Sequence, residues 1–230
     1  MAILPNKIKV KTLTVISLLS SLLIHLIQAL PQDYDKNNAS LVLQATLFKT
    51  IPHVHDGDGS TEWIIRDPRA EKKVMDTPGY PARKPKPSRP GLYEVRTTEK
   101  MGQGVFAKRI IKRGDIIFSE RPLLISPNWL AKADINKTYT LEQSRQVMMF
   151  EYEKVLEVAV QRMSEDDKAL YMALYNSHTT DGTGPLMGVM RTNGFGASEL
   201  SDDGDGLLHY SAICNLGSRL NHRYSPFLLT

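Results

Sequence analysis

A proline-rich, basic stretch over residues 78–90 limits where regular structure can form in this chain of 230 residues. Proline lacks a backbone N–H and has a fixed φ, so it is excluded from helix interiors and central strands. Prolines at this density favour extended polyproline II, which acts as a semi-rigid spacer. The sequence therefore predicts an irregular region and linker over residues 31–91, followed by a domain over residues 92–230. The basic residues of the linker could also contact an acidic partner.

Composition and charge exclude several classes of function. Hydrophobic residues make up 41% of the chain and charged residues 23%, which is typical of a globular protein. The net charge of +4 gives no case for direct contact with nucleic acid. Because Cys214 is the single cysteine, neither an internal disulfide nor a cysteine-built zinc site can form. No metal site is predicted, since residues 53–59 and the acidic loop at 201–206 have the composition of polar turns.

The N-terminus carries an apolar stretch, Leu13–Leu30, that contains no acid, lysine or arginine and follows Lys7, Lys9 and Lys11. This order is typical of a secretory signal or a signal-anchor. As a helix it would reach about 27 Å, just short of the hydrocarbon core of a bilayer. Ile27-Gln28-Ala29 is a poor cleavage site. A membrane anchor, a cleaved signal and a buried leader segment therefore all stay open, with the membrane as a partner of residues 13–30 in the first case.

After residue 91 the pattern alternates between short strands, turns and helices. Alternating apolar and polar residues predict a strand at Leu92–Arg96, and runs of strand-forming residues predict short strands at Val105–Ala107 and Ile116–Glu120. Apolar residues at helical spacing predict a long helix over Leu141–Met163, and Ser164 followed by acids predicts the N-cap of a second helix. From Thr180 onward, glycines favour a return to short strands. The predicted fold class is α+β, with an N-terminal hydrophobic helix.

Two motifs could carry chemistry. Gly102-Gln103-Gly104 would let a backbone approach a ligand closely, although such a pair alone is equally typical of a β-turn. Near the C-terminus, Ser218-Arg219-Leu220-Asn221-His222 places an amide and an imidazole side by side. Between them lies Arg191-Thr192-Asn193-Gly194-Phe195. On residue type alone, Asn193 could cap a strand and His222 could be a core histidine, in which case neither would bind a ligand.

Taken in order, these segments resemble a SET domain, in the form found in fungal proteins. The resemblance also includes Glu120-Arg121-Pro122-Leu123-Leu124 and covers about residues 92–226. It implies several small β-sheets with a helical insert and a C-terminal knot. The implied activity is S-adenosylmethionine-dependent methylation of a lysine in a histone or another protein. The cofactor-binding residues implied are Gly102, Gly104, Asn193, Asn221 and His222. The family is nuclear or cytosolic, whereas the apolar leader indicates a membrane or the secretory pathway.

The C-terminal motif departs from the family pattern. The family has Asn-His-Ser-Cys-x-Pro-Asn, whereas this chain has Arg223 and Tyr224 after the Asn-His pair and Phe227 at the last position. Two large side chains in place of two small ones would crowd a tight turn. The family's catalytic tyrosine and knot segment lie beyond the position of Thr230, so no catalytic residue is assigned. We expect this chain to be inactive as it stands; a non-catalytic, membrane-tethered or secreted binding module and a truncated gene model are the alternatives.

Overall fold

The structure, a computed structural model, describes residues 21–36, 41–44, 46–52, 57–66, 68–99, 102–128, 135–197, 200 and 209–220. The predicted α+β class is confirmed. Helices are α1 (residues 21–28), α2 (Leu41–Gln44), α3 (Pro68–Met75), α4 (Leu141–Arg162), α5 (Glu165–Met172) and α6 (Pro185–Asn193). Strands are β1 (Leu47–Ile51), β2 (Thr61–Ile65), β3 (Tyr93–Thr98), β4 (Gly102–Ala107), β5 (Leu124–Pro127), β6 (Gly194–Gly196) and β7 (Tyr210–Ile213), and a 3-10 turn covers Gly217–Arg219.

One sheet of the structure takes strands from both sides of the proline-rich stretch. Its order is β1-β2-β5-β7-β6, and every neighbouring pair is antiparallel except β2 with β5. The irregular region expected at 31–91 thus contains two strands, β1 and β2, and two short helices, α2 and α3. Strand β2 has no alternating pattern that would predict a strand, because all five of its residues are buried. Its one charged residue, Glu62, is bound to Arg162 of α4 and to Thr50 of β1.

The proline-rich stretch runs along the folded body without regular structure over residues 82–87. Hydrogen bonds hold it there: the Lys84 N–H donates to Asp58 Oδ2 at 3.0 Å, and the Ser88 N–H donates to the Ile116 carbonyl at 2.9 Å. The Ile116 N–H in turn donates to Ser88 Oγ at 2.8 Å. The predicted strand at Ile116–Glu120 is wrong, since the segment bonds to this stretch and joins neither described sheet.

Helix α4 is the centre of the core. The predicted boundaries are confirmed within one residue, and Thr140 and Gln143 form a reciprocal capping box at the N-terminus. Its apolar residues pack on the sheet, with Val155, Leu156 and Ala159 fully buried in one cluster with residues of β2, β5 and β7. The predicted second helix is confirmed as α5, in which Ser164 Oγ accepts the Asp167 N–H at 3.1 Å.

The short strands expected after Thr180 are present as β6 and β7, but helix α6 precedes them where strand was expected. Gly184 is its N-cap and Pro185 opens its first turn. The buried Glu153 carboxylate, on α4, accepts the N–H groups of Leu186 at 2.8 Å and Met187 at 2.9 Å. These are two of the N–H groups that a helix N-terminus leaves without an internal partner. The helix therefore depends on a side chain that lies more than thirty residues away, which local patterns cannot indicate.

The second half of the apolar leader is part of this fold. Residues 21–28 are helical, and Leu26 and Leu30 are buried against α4, whereas residues 13–20 lie outside the described residues. In the described part of the chain, no helix is long and apolar enough to cross a membrane.

We predict that Gly184→Ala destabilises the protein by about 2 kcal/mol. A Cβ at this position would lie 2.4 Å from the Glu153 carboxylate, which cannot move without losing its bonds to α6. Gly196→Ala is the matched control, because a Cβ there meets nothing within 4 Å. Urea denaturation of both variants measures the difference, and equal stability would contradict the packing described for Glu153.

We predict a pH dependence of stability that originates at Glu153. Burial raises its pKa from the ordinary value of 4.5 to about 7, against the opposing effect of the two N–H donors. Its folded-state pKa exceeds its unfolded one, so its contribution to stability is complete below pH 4.5 and declines as the pH rises to about 7. Glu153→Gln should flatten that decline. Denaturation series across this pH window measure it, and an unchanged slope would contradict the prediction.

Candidate functional site

The two glycines of the first motif lie on β4 of a separate hairpin. Strands β3 and β4 pair antiparallel, with Gly102 opposite Thr98 and Gly104 opposite Arg96. Gly102 has a φ of +65°, which favours glycine, and a Cβ added there meets nothing within 4 Å. Gly104 is buried. The strand therefore has a residue that backbone geometry restricts to glycine, with open space beside it.

One face of the hairpin is apolar and lines a cavity of about 450 Å³. Tyr93, Val105 and Ala107 share this face because side chains alternate along a strand. The Tyr93 ring packs edge-on against Phe118 at 5.5 Å between centroids. On the other face, the Arg96 guanidinium lies 3.9 Å from the centre of the Phe106 ring. The remaining lining residues of the cavity are Ile111, Asp115, Ile116, Ile117, Phe118 and Leu220.

Glu120 holds the turn that leads into the second motif. Its carboxylate accepts three backbone N–H groups, from Asn215 at 3.0 Å, Leu216 at 2.9 Å and Gly217 at 2.6 Å. Bonds to an ionised acceptor are stronger than neutral ones, and three of them fix the position of this turn. The resemblance includes Glu120 in the block Glu120–Leu124 but implies no role for it. The residues next to Glu120 in the sequence do not indicate that its carboxylate binds the N–H groups of residues 215–217.

The two motifs meet although more than a hundred residues separate them. Arg219 Nε donates to Gln103 Oε1 at 2.7 Å, and the same guanidinium bonds to both the backbone and the side-chain oxygen of Asn215. Leu220 lines the same cavity as Val105. The segment that enters the Asn-His pair thus lies directly beside the glycine-bearing strand.

Asn193 reaches the same region through its backbone. Its carbonyl accepts from Ser218 Oγ at 3.4 Å. Its side-chain amide is buried and donates to the carbonyls of Tyr175 and Val189, each at 2.7 Å. An amide nitrogen has two hydrogens, so both are used to hold the end of α6. The structure accordingly gives Asn193 a role in positioning α6, whereas the resemblance implied a cofactor contact.

The structure brings together the described members of the predicted site. Gly102 and Gly104 lie on the strand beside residues 217–220, and the backbone of Asn193 contacts Ser218. Asn221 and His222 follow Leu220 directly in sequence but lie outside the described residues, as do Arg223, Tyr224 and Phe227. The His53–Asp56 segment and the acidic loop at 201–206 also lie outside them.

Comparison with known proteins adds no family to this geometry. No protein-family model matches the chain, and no curated protein and no solved structure matches it either. The evidence for a function therefore lies in the motifs and in the contacts between them.

We predict that Glu120→Gln lowers the free energy of unfolding by about 1–2 kcal/mol, because an amide nitrogen would face a backbone N–H. Burial and the nearby Glu120 charge raise the pKa of the Cys214 thiol to about 12, so the variant should also make this thiol more reactive. Denaturation and the rate of thiol alkylation are the measurements. Glu94→Gln is the control, since Glu94 lies 3.8–3.9 Å from its partners and is partly exposed. Equal effects of both variants would contradict the role of Glu120.

Proposed function

We propose that this protein is a SET-type module related to S-adenosylmethionine-dependent protein-lysine methyltransferases. The observation that supports this is the contact between the two motifs: Arg219 bonds to Gln103 at 2.7 Å, and Leu220 shares a cavity with β4. A glycine-rich strand and an Asn-His segment act on one ligand only if the fold brings them together. In this chain the segment that precedes Asn221 lies beside that strand.

The residues present fit such a cofactor. The cavity of about 450 Å³ falls within the range of small-molecule sites, and its lining is mostly apolar. The open space beside Gly102 lies on the other face of β4, which Gly104 shares with Arg96 and Phe106. Hydrogen bonds from the Lys112 N–H and from Arg89 hold the pKa of Asp115, on the cavity wall, below its usual value, so this carboxylate is charged. Its charge is paired with the Arg89 guanidinium.

By the resemblance, the backbone at Gly102 and Gly104 and the side chains of Asn221 and His222 would hold the cofactor. S-adenosylmethionine supplies, when bound, an activated methyl group on sulfur that a neutral lysine amine can accept. The acceptor would be a lysine of a histone or of another protein.

A second function is favoured by the residues after the Asn-His pair. Arg223 and Tyr224 stand where the family has small side chains, which would crowd the turn around the cofactor. Under this alternative the protein is a non-catalytic, SET-derived binding module. The two functions differ in whether the folded protein binds S-adenosylmethionine.

We predict that the full chain binds S-adenosylmethionine with a Kd of roughly micromolar size in calorimetric titration. Asn221→Ala and His222→Ala should each weaken binding about tenfold or more, as expected for a lost hydrogen bond in a closed site. Asn136→Ala is the control, because Asn136 is exposed and bonds only locally, to the Thr138 N–H, among the contacts shown. Absence of binding by a folded protein would reject the first function and favour the second.

A transfer assay with methyl-labelled cofactor then measures whether a chain that binds the cofactor also transfers its methyl group. We expect no label on histones or on other lysine-containing proteins, because large side chains at Arg223 and Tyr224 would crowd the turn expected there. Arg223→Ser combined with Tyr224→Cys restores the small pair of the family pattern and should strengthen cofactor binding. Label transfer by the unmodified chain would show that these side chains do not block the site.

A further inference from the structure

The N-terminal helix α1 packs its apolar face on α4. Leu26 is 0% exposed and Leu30 is 7% exposed, in one cluster with Val147, Met149 and Phe150 of α4. Leu23 and Ile27 are partly buried against the same cluster. The positions 23, 26, 27 and 30 recur at helical spacing, so one stripe of the helix makes the contact.

Polar contacts hold the segment after this stripe. Gln146 is buried, and its Nε2 lies 3.4 Å from the Leu26 carbonyl and 3.1 Å from the Gly182 carbonyl. The Tyr34 hydroxyl donates to the Glu151 carboxylate, and the Tyr34 ring packs edge-on against Phe150. Lys154 Nζ donates to the Lys36 carbonyl at 2.7 Å. Residues 23–36 therefore contact α4 from Gln146 to Lys154, through its central turns.

The same residues belong to the sequence that predicts membrane contact. The apolar stretch Leu13–Leu30 contains no acid and follows three lysines. Lysines next to an apolar helix are attracted to anionic lipid headgroups. Ile24, on the outer side of α1, is 53% exposed to water, although its side chain is large and apolar. The stripe that contacts α4 cannot lie in lipid at the same time.

We propose that the N-terminal helix has two mutually exclusive locations, the face of α4 and an anionic lipid surface, and that packing on α4 withholds it from lipid. In this proposal residues 21–36 stay in the protein as part of the fold and are not removed as a cleaved signal. Release of the helix uncovers Val147 and Phe150. The partner is the lipid surface. The proposal is independent of the cofactor site, because it rests on the N-terminal sequence and on the contact between α1 and α4.

The test weakens the contact from the α4 side, so that the lipid-binding sequence stays intact. Phe150→Ala removes a ring that packs on Tyr34 and lies in the α1 cluster. Leu141→Ala is the matched control on the same helix, because Leu141 is 88% exposed. Co-sedimentation of the full chain is measured with vesicles of phosphatidylcholine, with and without phosphatidylserine.

We expect Phe150→Ala to bind vesicles at least about fivefold more than the unmodified chain, only when phosphatidylserine is present. Leu141→Ala should bind like the unmodified chain. Adding Leu26→Asp to Phe150→Ala should return binding to the starting level, because a charge on the stripe opposes insertion. Equal binding by Phe150→Ala and the control, or binding that persists with Leu26→Asp, would overturn the proposal.

Hydrogen exchange keeps the proposal testable if Phe150→Ala loosens the whole domain. Local release predicts faster exchange of the amides at residues 23–30, with unchanged exchange in β2 and β5. Faster exchange in those strands to the same degree would mean that α1 and the sheet open together, and it would overturn the idea of a separately released helix.

Discussion

The burial of α4 on several sides is the constraint on which the rest of the structure depends. The sheet covers one side through Ile64 and Leu124, and α6 covers another. The N-terminal segment covers a third through Leu26. A helix enclosed in this way must bury polar residues as well, and each buried polar group needs a partner. Glu153 is the clearest case, since its carboxylate holds the start of α6.

The candidate site follows from the register of the same sheet. Strands β5 and β7 pair antiparallel with Leu124 opposite Ile213, and the Leu123 N–H donates to the Ile213 carbonyl at 2.7 Å. The residues that precede β5 must therefore lie beside the residues that follow β7. This places the Glu120 carboxylate against the N–H groups of residues 215–217, and the turn so held carries Arg219 to the hairpin. The meeting of the two motifs is thus a consequence of strand pairing.

Local patterns predicted the elements whose cause is local. The hairpin at Tyr93–Thr98 and Gly102–Ala107 follows from alternation and from a glycine at positive φ, and α4 follows from its apolar spacing and capping box. The failures have non-local causes. Helix α6 is short, and its first N–H groups are held by Glu153, which belongs to α4. The segment Ile116–Glu120 has strand-forming residues, but its Ile116 N–H donates to Ser88.

The sequence by itself determined the composition of the site: a glycine pair, an Asn-His pair and the order in which they occur, together with an apolar N-terminal stretch that no local rule assigns to lipid or to core. Only the tertiary structure decided which of these residues meet. Packing placed Leu26 under α4, used the amide of Asn193 to hold α6, and made Glu120 the acceptor for a turn ninety-odd residues away. The physical reason is that these partners are chosen by burial and strand register, which depend on the whole chain and leave no mark on the residues nearby.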